Sequence, residues 1–261
     1  MSDVFALHRG TAPLLVSLPH DGTRVPDGIA ERLTDGARRV PDTDWHVARL
    51  YAFARDLGAS VLVPAHSRYV IDLNRSEDDV SLYPGQNTTG LCPIVRFTGE
   101  PVYRDGQVPD EAEIRARVER YWRPYHAALR GELDRLHALH GRALLWEGHS
   151  IKGELPFLFE GRLPDFNLGT ANGKSCSPAL QSRLEAVLAA QDRYDFVANG
   201  RFKGGYITRH YGDPANGMEA VQLEISQRIY MDETSFDYDD EKAADAQTVI
   251  SRLLETCLQS E

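Results

Sequence analysis

Cysteine is scarce in this chain, and the scarcity excludes several chemistries. Its 261 residues include three cysteines, Cys92, Cys176 and Cys257, an odd number without CxxC spacing. That argues against a disulfide framework and against a cysteine-based zinc site. Leu91-Cys92-Pro93 and Ser175-Cys176-Ser177 show no pattern that would activate a thiol nucleophile. No apolar run approaches the roughly 18 residues of a membrane span. The start, Met1-Ser2-Asp3-Val4-Phe5, lacks the basic and then apolar regions of a signal peptide. Positive charge is also short, with 29 Lys and Arg against 39 Asp and Glu and a net charge of −10. Neither nucleic acid nor an anionic membrane surface suits such a surface. GxSxG is missing, which removes the nucleophile elbow of α/β-hydrolases. No GxGxxG follows a strand, so a dinucleotide site is unsupported. The expectation is a cytoplasmic protein with a small-molecule partner; its oligomeric state stays open.

What is present suits one α/β domain over residues 1–261, with 42% hydrophobic residues to build a core. Leu14-Leu15-Val16-Ser17-Leu18 reads as a buried strand that stops at Pro19-His20-Asp21-Gly22. Asp42 or Thr43 caps an expected helix to about Leu57, with Val47, Leu50, Tyr51 and Ala54 as its apolar stripe and Gly58 at its stop. Strands are expected at 60–63, 69–73, 143–146, 194–197 and 220–225. Residues 76–109 read as a long irregular excursion, a length usually reserved for function. A long helix is expected over 110–140, kinked or split by Pro124. Ser177-Pro178 opens another helix to about Ala190, and Ala246, Val249, Ile250, Leu253 and Leu254 mark a closing one. Alternating strands and helices predict a mixed, mainly parallel sheet with helices on both faces.

In such sheets ligands bind beyond the carboxyl ends of strands. His20 follows the first strand, Glu147-Gly148-His149-Ser150 follows the strand at 143–146, and Glu224 sits on the strand at 220–225. Two histidines and one carboxylate form the usual open shell of a catalytic zinc, with a coordination position left for water. Asp44 is the candidate third ligand, with Asp42 behind it. Glu224 is the candidate base that collects the water's proton and passes it to a leaving amine. Each residue has a plainer alternative. His20 can be an ordinary loop histidine, Asp42 and Asp44 helix caps, and Glu224 part of a solvated strand face. Asn74-Arg75, after a strand, offers a fork for a substrate carboxylate or a surface salt bridge. Asp72, costly if unpaired in an apolar run, needs Arg68 or Arg75. Residues 200–211 mix glycines, cations and hydroxyls and suit a substrate-covering loop.

Six segments together resemble the N-formylglutamate amidohydrolase (deformylase) family. They are Ser17-Leu18-Pro19-His20-Asp21-Gly22, Asp42-Thr43-Asp44, residues 67–75 (SRYVIDLNR), His149-Ser150, Phe166-Asn167-Leu168-Gly169-Thr170 and Gln222-Leu223-Glu224-Ile225. The resemblance implies metal-dependent hydrolysis of N-formyl-L-glutamate to formate and L-glutamate, the last step of a histidine-degradation route. It also implies a relation to zinc carboxypeptidases, with a mixed eight-stranded sheet, one Zn2+ held by His20 and His149, and Glu224 as general base; Asp44, with Asp42 behind it, is the choice for the remaining carboxylate ligand. The resemblance implies Asn74-Arg75 as the pair that holds a substrate carboxylate; Arg68, Lys152, Thr170 and Arg209 are the further candidate substrate-binding residues, Arg209 or Lys152 taking the second carboxylate. Two departures stand out. Thr23 occupies the place where a carboxypeptidase HxxE motif has its glutamate. Glu147 and Lys152 flank His149-Ser150 where the family pattern suggests aspartate and arginine. A hydrolase of another N-acyl acidic amino acid and a non-catalytic acidic-metabolite binder are the alternatives.

Overall fold

Alternation along two neighbouring strands sets the architecture of the site. In the computed structural model, which describes residues 3–81, 85 and 87–259, β1 (Phe5–His8), β2 (Leu14–Ser17), β3 (Ser60–Pro64), β4 (Ala143–Ile151), β5 (Phe166–Gly169), β6 (Phe196–Ala198) and β7 (Met218–Ser226) form one sheet. Its order is β1-β3-β2-β4-β7-β5-β6. β1 pairs antiparallel with β3, and β5 antiparallel with β7; the other pairings are parallel. The mixed, mainly parallel sheet is as expected, with seven strands among the described residues against the eight implied by the resemblance.

Helices cover both faces. These are α1 (Asp27–Ala30), α2 (Asp35–Arg38), α3 (Val47–Leu50), α4 (Glu111–Arg117), α5 (Arg123–His140), α6 (Pro178–Ala189), α7 (Tyr206–Tyr211) and α8 (Asp240–Leu258). One face buries Val16, Trp146, Val221 and Leu223 beneath α3, α6 and α8. On α8 the stripe Ala246, Val249, Ile250, Leu253 and Leu254 is buried, each large aliphatic side chain contributing about 1.5–3 kcal/mol. The opposite face carries Leu15, Leu62, Ala143, Leu145 and Ala220 beneath Tyr125, Leu129 and Leu133 of α5. Because side chains alternate along a strand, this second face continues on β4 with Glu147 and His149, and on β7 with Gln222 and Glu224. The face is apolar at its start, where α5 covers it. It turns polar toward the carboxyl ends.

Three expectations need correction. The helix expected from residue 42 to 57 begins only at Val47 and gives way to a 3-10 turn at Ala52–Arg55. The carboxylates of Asp42 and Asp44 are drawn inward by other partners, and Asp21 Oδ1 instead accepts the amide of Ala48 at 2.8 Å. Residues 69–73 are buried but form turns, not a strand. Their backbone groups bond elsewhere: Arg117 Nη1 donates to the Val70 carbonyl at 2.9 Å, and the Asp72 amide donates to the Leu91 carbonyl at 2.7 Å. β4 runs to Ile151, so His149 lies within a strand and not beyond its end. Other expectations hold. The 110–140 helix is broken by a π turn at Val118–Trp122 just before Pro124, and Ser177 Oγ caps α6 by accepting from the Leu180 amide. No named helix or strand lies between Pro64 and Glu111 among the described residues; residues 82–84 and 86 lie outside them. No helix among the described residues is long and apolar enough to cross a membrane.

Candidate metal centre

His149 on β4 and Glu224 on β7 are register partners on adjacent strands. Between Glu147 and His149 stands Gly148, facing the other side of the sheet. A Cβ there would fall 2.7 Å from Leu18 Cδ2 and 3.1 Å from the Tyr51 ring. The glycine lets the α3 side pack closely, which holds the strand that carries His149.

The two imidazoles converge through their Nδ1 atoms. His20 Nδ1 lies 3.2 Å from His149 Nδ1, His149 Nδ1 2.9 Å from Asp44 Oδ2, and His20 Nδ1 3.7 Å from that oxygen. The far nitrogens are fixed by carboxylates: His20 Nε2 donates to Asp72 Oδ1 at 2.7 Å and His149 Nε2 to Glu147 Oε1 at 2.7 Å. Glu147 is held in turn, accepting from the amide and hydroxyl of Thr208 on α7. Asp72 Oδ1 also accepts from the Asn74 amide. When the outer nitrogens donate to these carboxylates, each Nδ1 is left to face the other ring and the Asp44 carboxylate, a donor set that a cation at its centre would satisfy. Tetrahedral ligation at roughly 2.0–2.1 Å separates donor atoms by about 3.3 Å, and the three separations here bracket that value. The carboxylate–histidine pairs are the outer support that metal-binding imidazoles usually have. His20, Asp44 and His149 therefore fit a metal ion.

Taken by themselves, the charged groups of the centre shift one another strongly. Burial would raise the Asp44 carboxyl, but the charge of Arg68 and the bonds from His149 and His20 hold it well below the usual range. Burial would lower His149, yet Glu147 and Asp44 keep it well above an ordinary histidine. Glu224 is pushed up to about 8, chiefly by burial and also by Asp44, against the pull of His149 and Arg68. Arg68 Nη2 donates to Asp44 Oδ1 at 2.7 Å and its Nη1 stands 3.7 Å from Asp72. The guanidinium thus neutralises the outer oxygen of Asp44 and leaves Oδ2 facing the histidines. Asp42 points away, accepting from the Tyr69 hydroxyl at 2.7 Å and the Phe97 amide at 2.9 Å.

A cavity of about 120 Å³ opens on this centre, lined by His20, Arg68, Asp72, Asn74, Arg75, His149 and Glu224 and walled by Phe97, Ile151, Leu158 and Phe202. Asn74 Nδ2 stands 3.1 Å from His149 Nε2, and its Oδ1 accepts the Ile207 amide at 2.9 Å. Of the six residues expected to bind substrate, Asn74, Arg75 and Arg68 line the cavity. Lys152 lines a neighbouring one beside Arg96 and Gln227. Thr170 is buried, its hydroxyl donating to Gln181 Oε1 at 2.7 Å. Arg209 is exposed on α7 and donates to the Gly204 carbonyl at 2.8 Å. The loop expected to cover substrate is divided: Arg201, Phe202 and Gly205 line the cavity, while α7 braces Glu147 and Asn74 from behind. Sequence reading held Arg201 and Gln222 only within longer segments, without singling them out, and missed Phe97. Gln222 was findable as the residue two before Glu224 on the same strand face; Phe97 comes from a patternless segment. All three cysteines are buried, and burial pushes the thiols up, Cys92 to about 11 and Cys176 to about 12.

Comparison with known proteins gives a consistent result. The family model described as N-formylglutamate amidohydrolase matches residues 12–231. The chain is 53% identical to the N-formylglutamate deformylase of Pseudomonas putida over 259 residues, covering 99% of this chain and 97% of that protein. It is 52% identical, with the same coverage, to that of Pseudomonas aeruginosa. The crystal structure of N-formylglutamate amidohydrolase from Ralstonia eutropha is similar with a TM-score of 0.82 at 27% identity, over 97% of each chain. A gene product from Agrobacterium tumefaciens is similar in fold, with a TM-score of 0.71 at 18% identity over 98% of this chain and 96% of that one.

Proposed function

This chain belongs to the N-formylglutamate amidohydrolase family, and from that premise we propose that it hydrolyses N-formyl-L-glutamate to formate and L-glutamate with the help of one divalent metal ion. The observation that carries the reading is the convergence of His20 Nδ1, His149 Nδ1 and Asp44 Oδ2 beside the buried carboxyl of Glu224. Two imidazoles and one carboxylate with an open side suit zinc. Bound there, the ion supplies Lewis-acid polarisation of the formyl carbonyl and acidifies the attacking water.

The protein's own residues supply the rest. Glu224 takes a proton from the water as its oxygen bonds to the formyl carbon. As the C–N bond breaks, Glu224 returns that proton to the departing amine nitrogen. Its place opposite His149 in the strand register lets one carboxylate serve both halves of that exchange. Arg75, with Asn74 beside it, holds a substrate carboxylate next to the reacting centre. Asp72 and Glu147 keep the imidazoles oriented, and Phe97, Ile151 and Leu158 limit the water around the reacting bond.

The test is formate release from N-formyl-L-glutamate together with metal analysis, for the wild type and for Glu224→Gln. We expect about one metal ion per chain in both proteins, and a loss of turnover on the order of 10²–10⁴ in the variant. Turnover near wild type in Glu224→Gln removes the base assignment. Full activity after exhaustive metal stripping removes the metal.

A further inference from the structure

A substrate with two carboxylates calls for two cation sites, and the pair of residues expected for the second, Lys152 and Arg209, lies outside the cavity. Arg201 lies inside it. Its guanidinium carbon stands 5.6 Å from the centre of the Phe159 ring and 6.0 Å from that of Phe202, and those two rings meet edge to face at 6.5 Å. Aromatic faces hold a guanidinium by cation–π attraction, and its planar fork matches the two oxygens of a carboxylate. The segment that bears Arg201 is fastened on both sides. Asn199 Oδ1 accepts the amides of Thr170 at 2.9 Å and Asn172 at 3.1 Å. Beyond Arg201, the Lys203 carbonyl accepts the Ala171 amide at 2.6 Å, and the Gly205 amide donates to Gln222 Oε1 at 2.7 Å. Gly205 also lies against Asn74, where a Cβ would fall 2.3 Å from Nδ2. The segment carrying Arg201 therefore abuts the one carrying Arg75.

We propose that Arg201 is the specificity-determining residue that binds the substrate's side-chain carboxylate, while Arg75 takes the α-carboxylate. This rests on reading the cavity as a site for an N-acyl dicarboxylic amino acid. The order follows from substrate chemistry. The α-carboxylate is one carbon from the scissile nitrogen and belongs near Asn74, which touches His149. The side-chain carboxylate is three carbons from that nitrogen and must reach farther from the metal centre. Arg201 stands on the Phe159–Phe202 wall, not among the groups around the imidazoles.

Calorimetric binding of L-glutamate and L-glutamine tests this without turnover, since the two differ only in the distal group, a carboxylate in one and a neutral amide of the same shape in the other. Wild-type protein should bind glutamate about tenfold or more tighter than glutamine. Arg201→Met should bring the two within about threefold by weakening glutamate, and Arg201→Lys should fall between, as a point charge lacking the fork. The proposal is overturned if folded Arg201→Met keeps the wild-type preference, or loses both ligands equally. Should Arg201→Met fail to fold, Arg201→Gln is read in the same way. Formate release by the wild type, assayed alongside, separates the two levels. A protein that releases no formate yet shows an Arg201-dependent preference for glutamate sinks the hydrolase reading alone. One that releases formate while Arg201→Met keeps the preference sinks this inference alone.

Discussion

Glu147 offers the sharpest test of how the centre is held, because it should touch no substrate. It is completely buried, accepts from His149 Nε2 at 2.7 Å, and is bonded through its other oxygen to the Thr208 amide at 3.0 Å and to the Thr208 hydroxyl. Glu147→Gln keeps the volume but removes the charge and one acceptor. The amide oxygen then faces either His149 or Thr208, and its NH₂ group confronts a donor on the other side. One bond to a charged acceptor is lost and one buried donor is left unpaired, a cost of about 2–3 kcal/mol. Transmitted in full through His149, that would be a fall in metal affinity of about 30–150-fold, which overlaps the roughly 10–100-fold found when such supporting carboxylates are removed. A competition titration with a chromogenic chelator measures it directly, and formate release at saturating metal should recover part of the activity. Glu147→Asp, which keeps the charge, should lose less than Glu147→Gln. An affinity for metal within twofold of wild type in Glu147→Gln would refute the claim that this carboxylate orients a metal-binding imidazole.

Two further outcomes concern stability. Gly148→Ala drives a methyl into Leu18 and the Tyr51 ring. It should lower the urea-derived stability by about 1–3 kcal/mol, and an unchanged midpoint would show that this contact yields freely. His126 is pushed down to about 3, chiefly by burial, with the His210 charge adding and the bond to the Leu73 carbonyl opposing. Its neutral ring also meets the Tyr211 hydroxyl at 2.9 Å. Because the folded value lies below the unfolded one, the unfolded chain binds the extra proton between about pH 6.5 and 3. The stabilisation is complete above that window and is lost as pH falls through it. From pH 7 to 5 the wild type should lose about 2 kcal/mol more than His126→Gln. Equal acid sensitivity of the two in urea unfolding would exclude the histidine as the cause.

The sequence by itself determined which residue types are available for chemistry and which class of fold carries them. Hydrophobic periodicity is local, so β2, β3 and α6 were legible within a residue or two, as were the buried stripe of α8 and the break before Pro124. The pairing of Asp42-Thr43-Asp44 with a helix start was misleading for a physical reason. A carboxylate before an apolar stripe looks like a cap, and only the arrival of Arg68, His149 and Tyr69 from distant segments draws Asp42 and Asp44 inward. Residues 69–73 misled similarly: apolar composition reports burial, not a ladder, and their carbonyls are taken by Arg117 and His126.

Tertiary structure alone decided which of the two aspartates faces the imidazoles. It also decided that both rings converge through Nδ1, and that Glu147 supports His149 where the family pattern suggested an aspartate. Lys152, Thr170 and Arg209 do not line the cavity that opens on the imidazoles, whereas Arg201 is drawn into it by a loop fastened to β5 and β7. Spacing along a chain specifies which face of a strand or helix a side chain occupies. Convergence of groups tens of residues apart depends on strand order and register, and neither is encoded in any local stretch.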